Sequence, residues 1–221
     1  LSEFNTNRKT GLIAISLKDG DELVGVQETS GNDNVLIITK NGKCICFSED
    51  DVRPMGRMAG GVRAISLDAD DQVVAMQLVQ PGQELLVVTK NGYGKRTKVE
   101  EYKLQARGGK GLLTYDKAKF KKTGELIGAM VVSDDDEVLM INSDGIIIRI
   151  KASDVSRLGR ATQGVRIMRV GEDANIVSIA RVIKEDDSES SAQESKSSDA
   201  DSGTDDEAKK SDDPQIAITL E

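Results

Sequence analysis

The sequence predicts an all-β chain of repeated four-stranded units, each about 50 residues long, set as blades around an axis. Three observations predict it. Markers recur in one register: Gly11-Leu12 returns as Gly61-Val62, Gly111-Leu112 and Gly164-Val165, at spacings of 50, 50 and 53 residues. Hairpin signals recur with them, as Thr39-Lys40-Asn41-Gly42, Thr89-Lys90-Asn91-Gly92 and the altered Asn142-Ser143-Asp144-Gly145. Finally, short aliphatic runs separated by turn residues fill the chain, and helical periodicity appears nowhere at length.

In the first unit the strands read as 12–17, 22–28, 34–39 and 43–47. Lys18-Asp19-Gly20 supplies a glycine-containing turn between the first two. Asn41-Gly42 reads as a two-residue hairpin loop, whose central positions both need φ > 0. Leu23-Val24-Gly25-Val26 returns as Val73-Val74-Ala75-Met76, Leu126-Ile127-Gly128-Ala129 and Ile176-Val177-Ser178-Ile179. Runs such as Val35-Leu36-Ile37-Ile38 are apolar on both faces, as for strands covered on both sides. The expected units are 11–60, 61–110, 111–163 and an incomplete 164–183, together one domain over 1–183. Residues 1–10 read as the end of a preceding unit. The chain opens on Leu1, so a piece beginning inside the repeat array is expected.

Composition narrows the function. Aromatic residues are 3% of the chain and Trp is absent, so the core must be aliphatic. Histidine is absent, which removes the commonest general base and metal ligand. Cys44 and Cys46 alternate onto one strand face and read as small reduced core residues; two thiols alone make a poor zinc site. The carboxylates Asp50-Asp51 and Asp134-Asp135-Asp136 fall in turn-like segments and read as solvated loops. No run approaches the roughly 20 apolar residues of a membrane helix. No secretory pattern opens the chain, so a cytoplasmic location is expected.

The net charge of −8 is unevenly spread. Residues 184–221 carry 4 Lys and 13 Asp or Glu, leaving 26 basic and 25 acidic side chains before them. That acidic, apolar-poor segment is expected to be a disordered tail.

One stretch stands out at the junction of the second and third units: Gln105-Ala106-Arg107-Gly108-Gly109-Lys110-Gly111. The corresponding junctions are 55–61 and 158–164, and each places an arginine four residues before the marker glycine: Arg57, Arg107 and Arg160. On a rotational repeat this makes a spaced row of cations, which a polyanion could follow. Gly108, Gly109 and Gly111 would let a phosphate approach the backbone and find N–H donors, and Gln105 could add a hydrogen bond. A second basic cluster includes Lys95 and Arg96. Gly94-Lys95-Arg96-Thr97 fails the phosphate-loop pattern, so ATP binding by this chain is rejected. Duplex DNA, bound through phosphates without base readout and with strong salt dependence, is the expected partner.

Residues 105–111 resemble the wrapping box of the DNA gyrase A subunit, Q-R-R-G-G-[KR]-G, at six of seven positions; Ala106 stands where the family has arginine. Asp21-Glu22-Leu23, Asn91-Gly92-Tyr93-Gly94-Lys95-Arg96-Thr97 and Gly164-Val165-Arg166 also resemble that subunit's C-terminal domain. The resemblance runs over about 1–182. It implies a β-pinwheel, a propeller-like disc whose blades exchange strands and whose rim wraps DNA. It further implies membership of a type II topoisomerase that introduces negative supercoils. There the chain, with the rest of the A subunit, would join the B subunit in a heterotetramer, and ATP and Mg would be used elsewhere in the complex. None of Tyr93, Tyr102 and Tyr115 matches the cleavage motif, so no catalytic residue and no cofactor are expected here. Two alternatives stay open. One is the C-terminal domain of the topoisomerase IV A subunit, which shares the repeats but generally lacks an intact box. The other is a protein-interaction propeller whose arginines brace inter-blade loops.

Overall fold

The computed structural model describes residues 4–7 and 9–182. The segment 184–221, expected to be disordered, lies outside the described residues, as do 1–3, Arg8 and Ile183.

Valine, isoleucine and leucine favour the pleated, half-buried surface of a sheet, and the aliphatic runs form the long strands. They are β1 (Asn34–Thr39), β2 (Lys43–Ser48), β3 (Val73–Val79), β4 (Glu84–Thr89) and β5 (Tyr93–Lys98), then β7 (Leu126–Val132), β8 (Glu137–Asn142), β9 (Ile147–Lys151) and β11 (Ile176–Val182). Two-residue strands follow marker glycines: β6 (Leu112–Leu113) and β10 (Val165–Arg166). A single helical turn, α1 (Phe120–Thr123), interrupts the third unit.

Three antiparallel sheets result, in the orders β3-β1-β2-β6, β10-β5-β4-β7 and β11-β8-β9. The sheets do not coincide with the sequence units. Each is built on the hairpin of one unit. It takes its inner strand from the next unit, as β3 pairs with β1, and the first two sheets also take an outer strand from the unit after that, as β6 pairs with β2. The second sheet repeats the rule with β7 and β10.

This exchange corrects the expectation of four strands within the first unit. Residues 12–17 and 22–28 form no strand and are largely exposed, Val26 being 79% so. The rule would pair them with hairpins of earlier units, and no such hairpin lies among the described residues. A strand without an edge to join leaves its backbone groups to water.

The hairpin loop also differs from expectation. The Gly42 N–H donates to Thr39 O at 3.0 Å, which puts Lys40 and Asn41 at the turn centre and Gly42, with φ +79°, just after it. This is a three-residue loop closed by a left-handed glycine rather than a two-residue Asn-Gly loop. Thr39 Oγ1 accepts from Lys43 N at 3.1 Å and holds the closing pair.

Alternation splits the aliphatic strands between neighbouring cores. Leu36 and Ile38 pack with Cys44, Cys46, Leu85 and Val87 between the first two sheets. Leu86 and Val88 pack with Val138 and Met140 between the second and third. Both cysteines are buried free thiols, and burial pushes the Cys44 thiol up to about 12. The inner strands β3, β7 and β11, with residues 24–27, line a central concavity of about 430 Å³. Gln27 Oε1 accepts from Leu78 N at 3.0 Å and Gln77 Oε1 from Val131 N at 3.1 Å, linking successive inner strands. The short strands β6 and β10 therefore stand at the outer edge.

Candidate nucleic-acid interface

The segment 105–111 is placed by β2. Leu104 bridges Cys46 in parallel, and the Gln105 N–H donates to Cys46 O at 2.8 Å. The chain then folds back over the start of its own unit, where Gly109 O accepts from Ser66 N at 2.8 Å. Gly111 next crosses β2 so closely that a Cβ would run into the Cys44 carbonyl oxygen. With φ +70° as well, only glycine suits this position. The crossing sets Leu112 and Leu113 beside Cys44 and Lys43 as the outer strand.

The recurring arginines share one hydrogen bond. Arg57 Nη1 donates to Ile13 O at 3.4 Å, Arg107 Nη1 to Arg63 O at 2.6 Å, and Arg160 Nη1 to Leu113 O at 3.3 Å. Each acceptor lies two residues after the marker glycine that opens the arginine's own unit. The row of arginines therefore braces the junctions. A guanidinium has five N–H donors, so a brace need not exhaust it. Arg107 and Arg160 remain partly exposed and form no ion pair among the described residues.

The other box residues divide sharply. Lys110 is exposed. The Gly108 N–H is occupied by Ala64 O at 2.7 Å and is turned away from any phosphate. Gln105 is half-buried, with Nε2 enclosed and lacking an acceptor, so its amide also turns inward. Arg107 and Lys110 carry the positive charge of the segment.

Lys95 and Arg96, expected among the DNA contacts, are instead buried. They lie on β5, where alternation and the covering third junction enclose both. Lys95 Nζ donates to Gly159 O at 2.6 Å, to Arg160 O and to Thr162 Oγ1 at 3.1 Å, and lies 5.7 Å from the Tyr115 ring centroid. Burial pulls its pKa down to about 8. Arg96 pairs with Glu84 at 2.8 Å and with Asp134, and its Nε donates to Val155 O at 2.9 Å. Arg157 joins the same carboxylates. Asp134, read as a solvated loop residue, is thus a partner of this network, and Arg96 holds its carboxyl below the usual range.

Sequence reasoning missed the lysines of 117–122. Lys117, Lys119, Lys121 and Lys122 are exposed on the loop between β6 and β7. The signal was present in the spacing of 53 instead of 50 in the third unit, because this loop is the longer one. The three tyrosines are buried, and burial pushes the Tyr115 phenol up to about 12. The described residues contain no cluster of His, Cys, Asp or Glu able to hold a metal, and no helix long and apolar enough to cross a membrane.

A family model described as DNA gyrase C-terminal domain, beta-propeller, matches residues 1–30, 33–80, 83–133 and 136–183. Its repeat opens at each hairpin, so the stretch 33–80 holds β1, β2 and β3 of one sheet. The DNA gyrase A subunit of Clostridium acetobutylicum is 57% identical over 183 residues, covering 83% of this chain and 22% of that protein. Its counterpart from Mycolicibacterium smegmatis is 44% identical over 195 residues, covering 86% and 23%. The chain thus spans about a fifth of the length of these relatives. Among solved structures, a DNA gyrase A C-terminal domain superposes with a TM-score of 0.73 at 31% identity, covering 79% of this chain and 59% of that one. A C-terminal domain of DNA topoisomerase IV superposes at 0.76 with 26% identity, covering 81% and 56%.

Proposed function

The chain belongs to the DNA gyrase C-terminal domain family, and from that premise we propose that residues 1–183 bind duplex DNA on the outer edge of the blades and bend it. The observation that carries the reading is the box at 105–111. It presents Lys110 and the partly exposed Arg107 where one unit passes to the next, and Arg160 recurs at the following junction.

Bending about 20–30 bp by roughly 40–90° costs on the order of 1–6 kcal/mol, which phosphate contacts must exceed. Neutralising a phosphate releases condensed counterions, so each contact adds about 0.9 to the slope of log affinity against log salt. The chain performs no covalent step in this reading. Cleavage and ATP hydrolysis belong to other parts of a type II topoisomerase. There this domain presents wrapped DNA so that the B subunit, working with the rest of the A subunit, introduces negative supercoils in the cytoplasm. Burial of Tyr93, Tyr102 and Tyr115 supports the absence of a nucleophilic tyrosine.

The fold shared with the topoisomerase IV C-terminal domain supplies a second reading, a decatenating enzyme's domain that binds DNA without a strong wrap. The test is binding of the full chain to a duplex of about 150 bp, one persistence length, across a salt series, with end-to-end energy transfer reporting the bend. Steep salt dependence with approach of the ends is expected. Binding without bending would favour the second reading. A folded chain that binds no DNA would overturn both and leave the protein-interaction propeller.

A further inference from the structure

Each unit carries a loop between its outer and inner segments, and in the second, third and fourth units that loop lies beside a hairpin tip. In three units this loop is acidic: Lys18-Asp19-Gly20-Asp21, Asp68-Ala69-Asp70-Asp71 and Gly171-Glu172-Asp173-Ala174. In the third unit it is longer and inverted in charge, with four lysines in six consecutive residues, 117–122. The acids of the second unit have structural work. Asp71 Oδ1 accepts from Asn41 N at 2.8 Å, and Asp68 pairs with Lys43 at 2.8 Å. In the third unit backbone carbonyls replace them: Asn91 N donates to Thr123 O at 3.0 Å and Asn91 Nδ2 to Lys122 O at 3.0 Å. The fold therefore uses the loop's backbone and leaves the four lysine side chains exposed. Like charges on adjacent turns are destabilising, so folding alone does not account for them.

Two further facts point to a polyanion. Lys122 Nζ lies 5.5 Å and the Arg166 guanidinium carbon 5.3 Å from the Tyr93 ring centroid, and Arg166 Nη2 donates to Tyr93 Oη at 2.9 Å. One buried aromatic thus steadies two cations beside a concavity of about 220 Å³. Of the nearby acids, Glu125 pairs with Lys40 at 3.1 Å and Asp116 accepts from Ala118 N at 3.0 Å, while the exposed Glu172 lines the concavity against the two cations Lys122 and Arg166. The loop also continues from the box. Gly111 leads into β6, where Leu113 lies opposite Lys43, and Lys43 Nζ reaches Asp68 at 2.8 Å. Lys43 holds the Asp68 carboxyl below the usual carboxylate range, with smaller contributions from Lys117 and Lys110.

We propose that Lys117, Lys119, Lys121 and Lys122, with Arg166 held on Tyr93, form a second phosphate-binding surface for duplex DNA, leading from Lys110 at the outer edge onto the hairpin-tip face. The assignment rests on the DNA-binding reading above and extends it to a surface away from the junctions. Its function is to hold the duplex where it leaves the edge, through phosphates alone.

The test is the salt dependence of full-chain binding to a duplex of about 150 bp, comparing wild type with the combined Lys117→Gln, Lys119→Gln, Lys121→Gln and Lys122→Gln protein. A second protein carries the four Lys→Arg changes, and thermal melting of all three checks the fold. The glutamine protein is expected to lose about 3–4 units of salt slope, near 0.9 per phosphate contact, while the arginine protein keeps the wild-type slope. A steep wild-type slope that the glutamine changes leave unaltered overturns this surface and leaves the DNA-binding reading standing. A folded wild type with no salt-sensitive binding overturns both.

Discussion

Two basic pairs lie close together in sequence and do opposite things. Lys95 and Arg96 sit on β5 under the third junction, with their donors spent on carbonyls and carboxylates of the fold. Arg107 and Lys110 sit on the second junction, one bracing the Asp51 and Arg63 carbonyls while partly exposed, the other exposed. Charge in the sequence therefore does not say where charge appears on the surface. What decides it is whether the residue falls on a strand that the next junction covers or on the covering junction itself.

Arg96→Met should sharpen the contrast most. It leaves Glu84, buried on β4, with only the half-exposed Arg157 as partner. Breaking a buried charge network costs about 3–5 kcal/mol, and the low end is expected because Arg157 remains. Denaturant unfolding measures it; a loss below about 1 kcal/mol would break the comparison. DNA affinity per folded molecule should stay at the wild-type value.

Lys95 gives a pH signature. Its folded pKa, near 8, lies below the unfolded value of 10.5, so between these pH values the unfolded chain holds more protons. Stability contributed by this site should therefore rise with pH across that window, by up to about 3 kcal/mol. Cys44 acts oppositely above pH 9, since its thiol stays protonated in the fold and ionises when unfolded. The readout is thus the difference between wild type and Lys95→Met, which should grow from pH 8 to 10.5. A constant difference would mean that Lys95 does not feel its burial.

Lys110→Gln should have the smallest effect on the fold and a selective one on binding. No change in melting temperature is expected, with a loss of about 1 unit of salt slope. A drop in stability without a change in slope would place Lys110 with the buried pair.

Much of this was legible. The marker spacing specifies repeated blades, and the double-faced aliphatic runs specify strands covered on both sides. Burial of Lys95 was legible too, because it occupies the β-hairpin position that Ile45 and Ile148 fill in the other units. Strand exchange was not legible from the residues alone. Pairing partners are chosen by long-range edges, and β6 would look the same whichever hairpin it joined. The three arginines show a different limit. Equivalent positions in a repeat share one environment, so recurrence fits a brace as readily as a ligand contact. In the lysine loop the extra three residues were visible, but their charge gains meaning only beside the acidic loops of the other units.

Strand exchange also sets the order in which the chain can fold. The sheet begun at Asn34 by β1 and β2 waits for β3, and its outer edge closes only when Leu112 and Leu113 have been made. The next sheet waits in the same way for Val165. Closing such distant pairs costs loop entropy before any contact repays it, which makes folding slow. A growing chain therefore carries unfinished edges on successive sheets at once, and a blade closes its outer edge only when the second unit after it has begun to leave the ribosome.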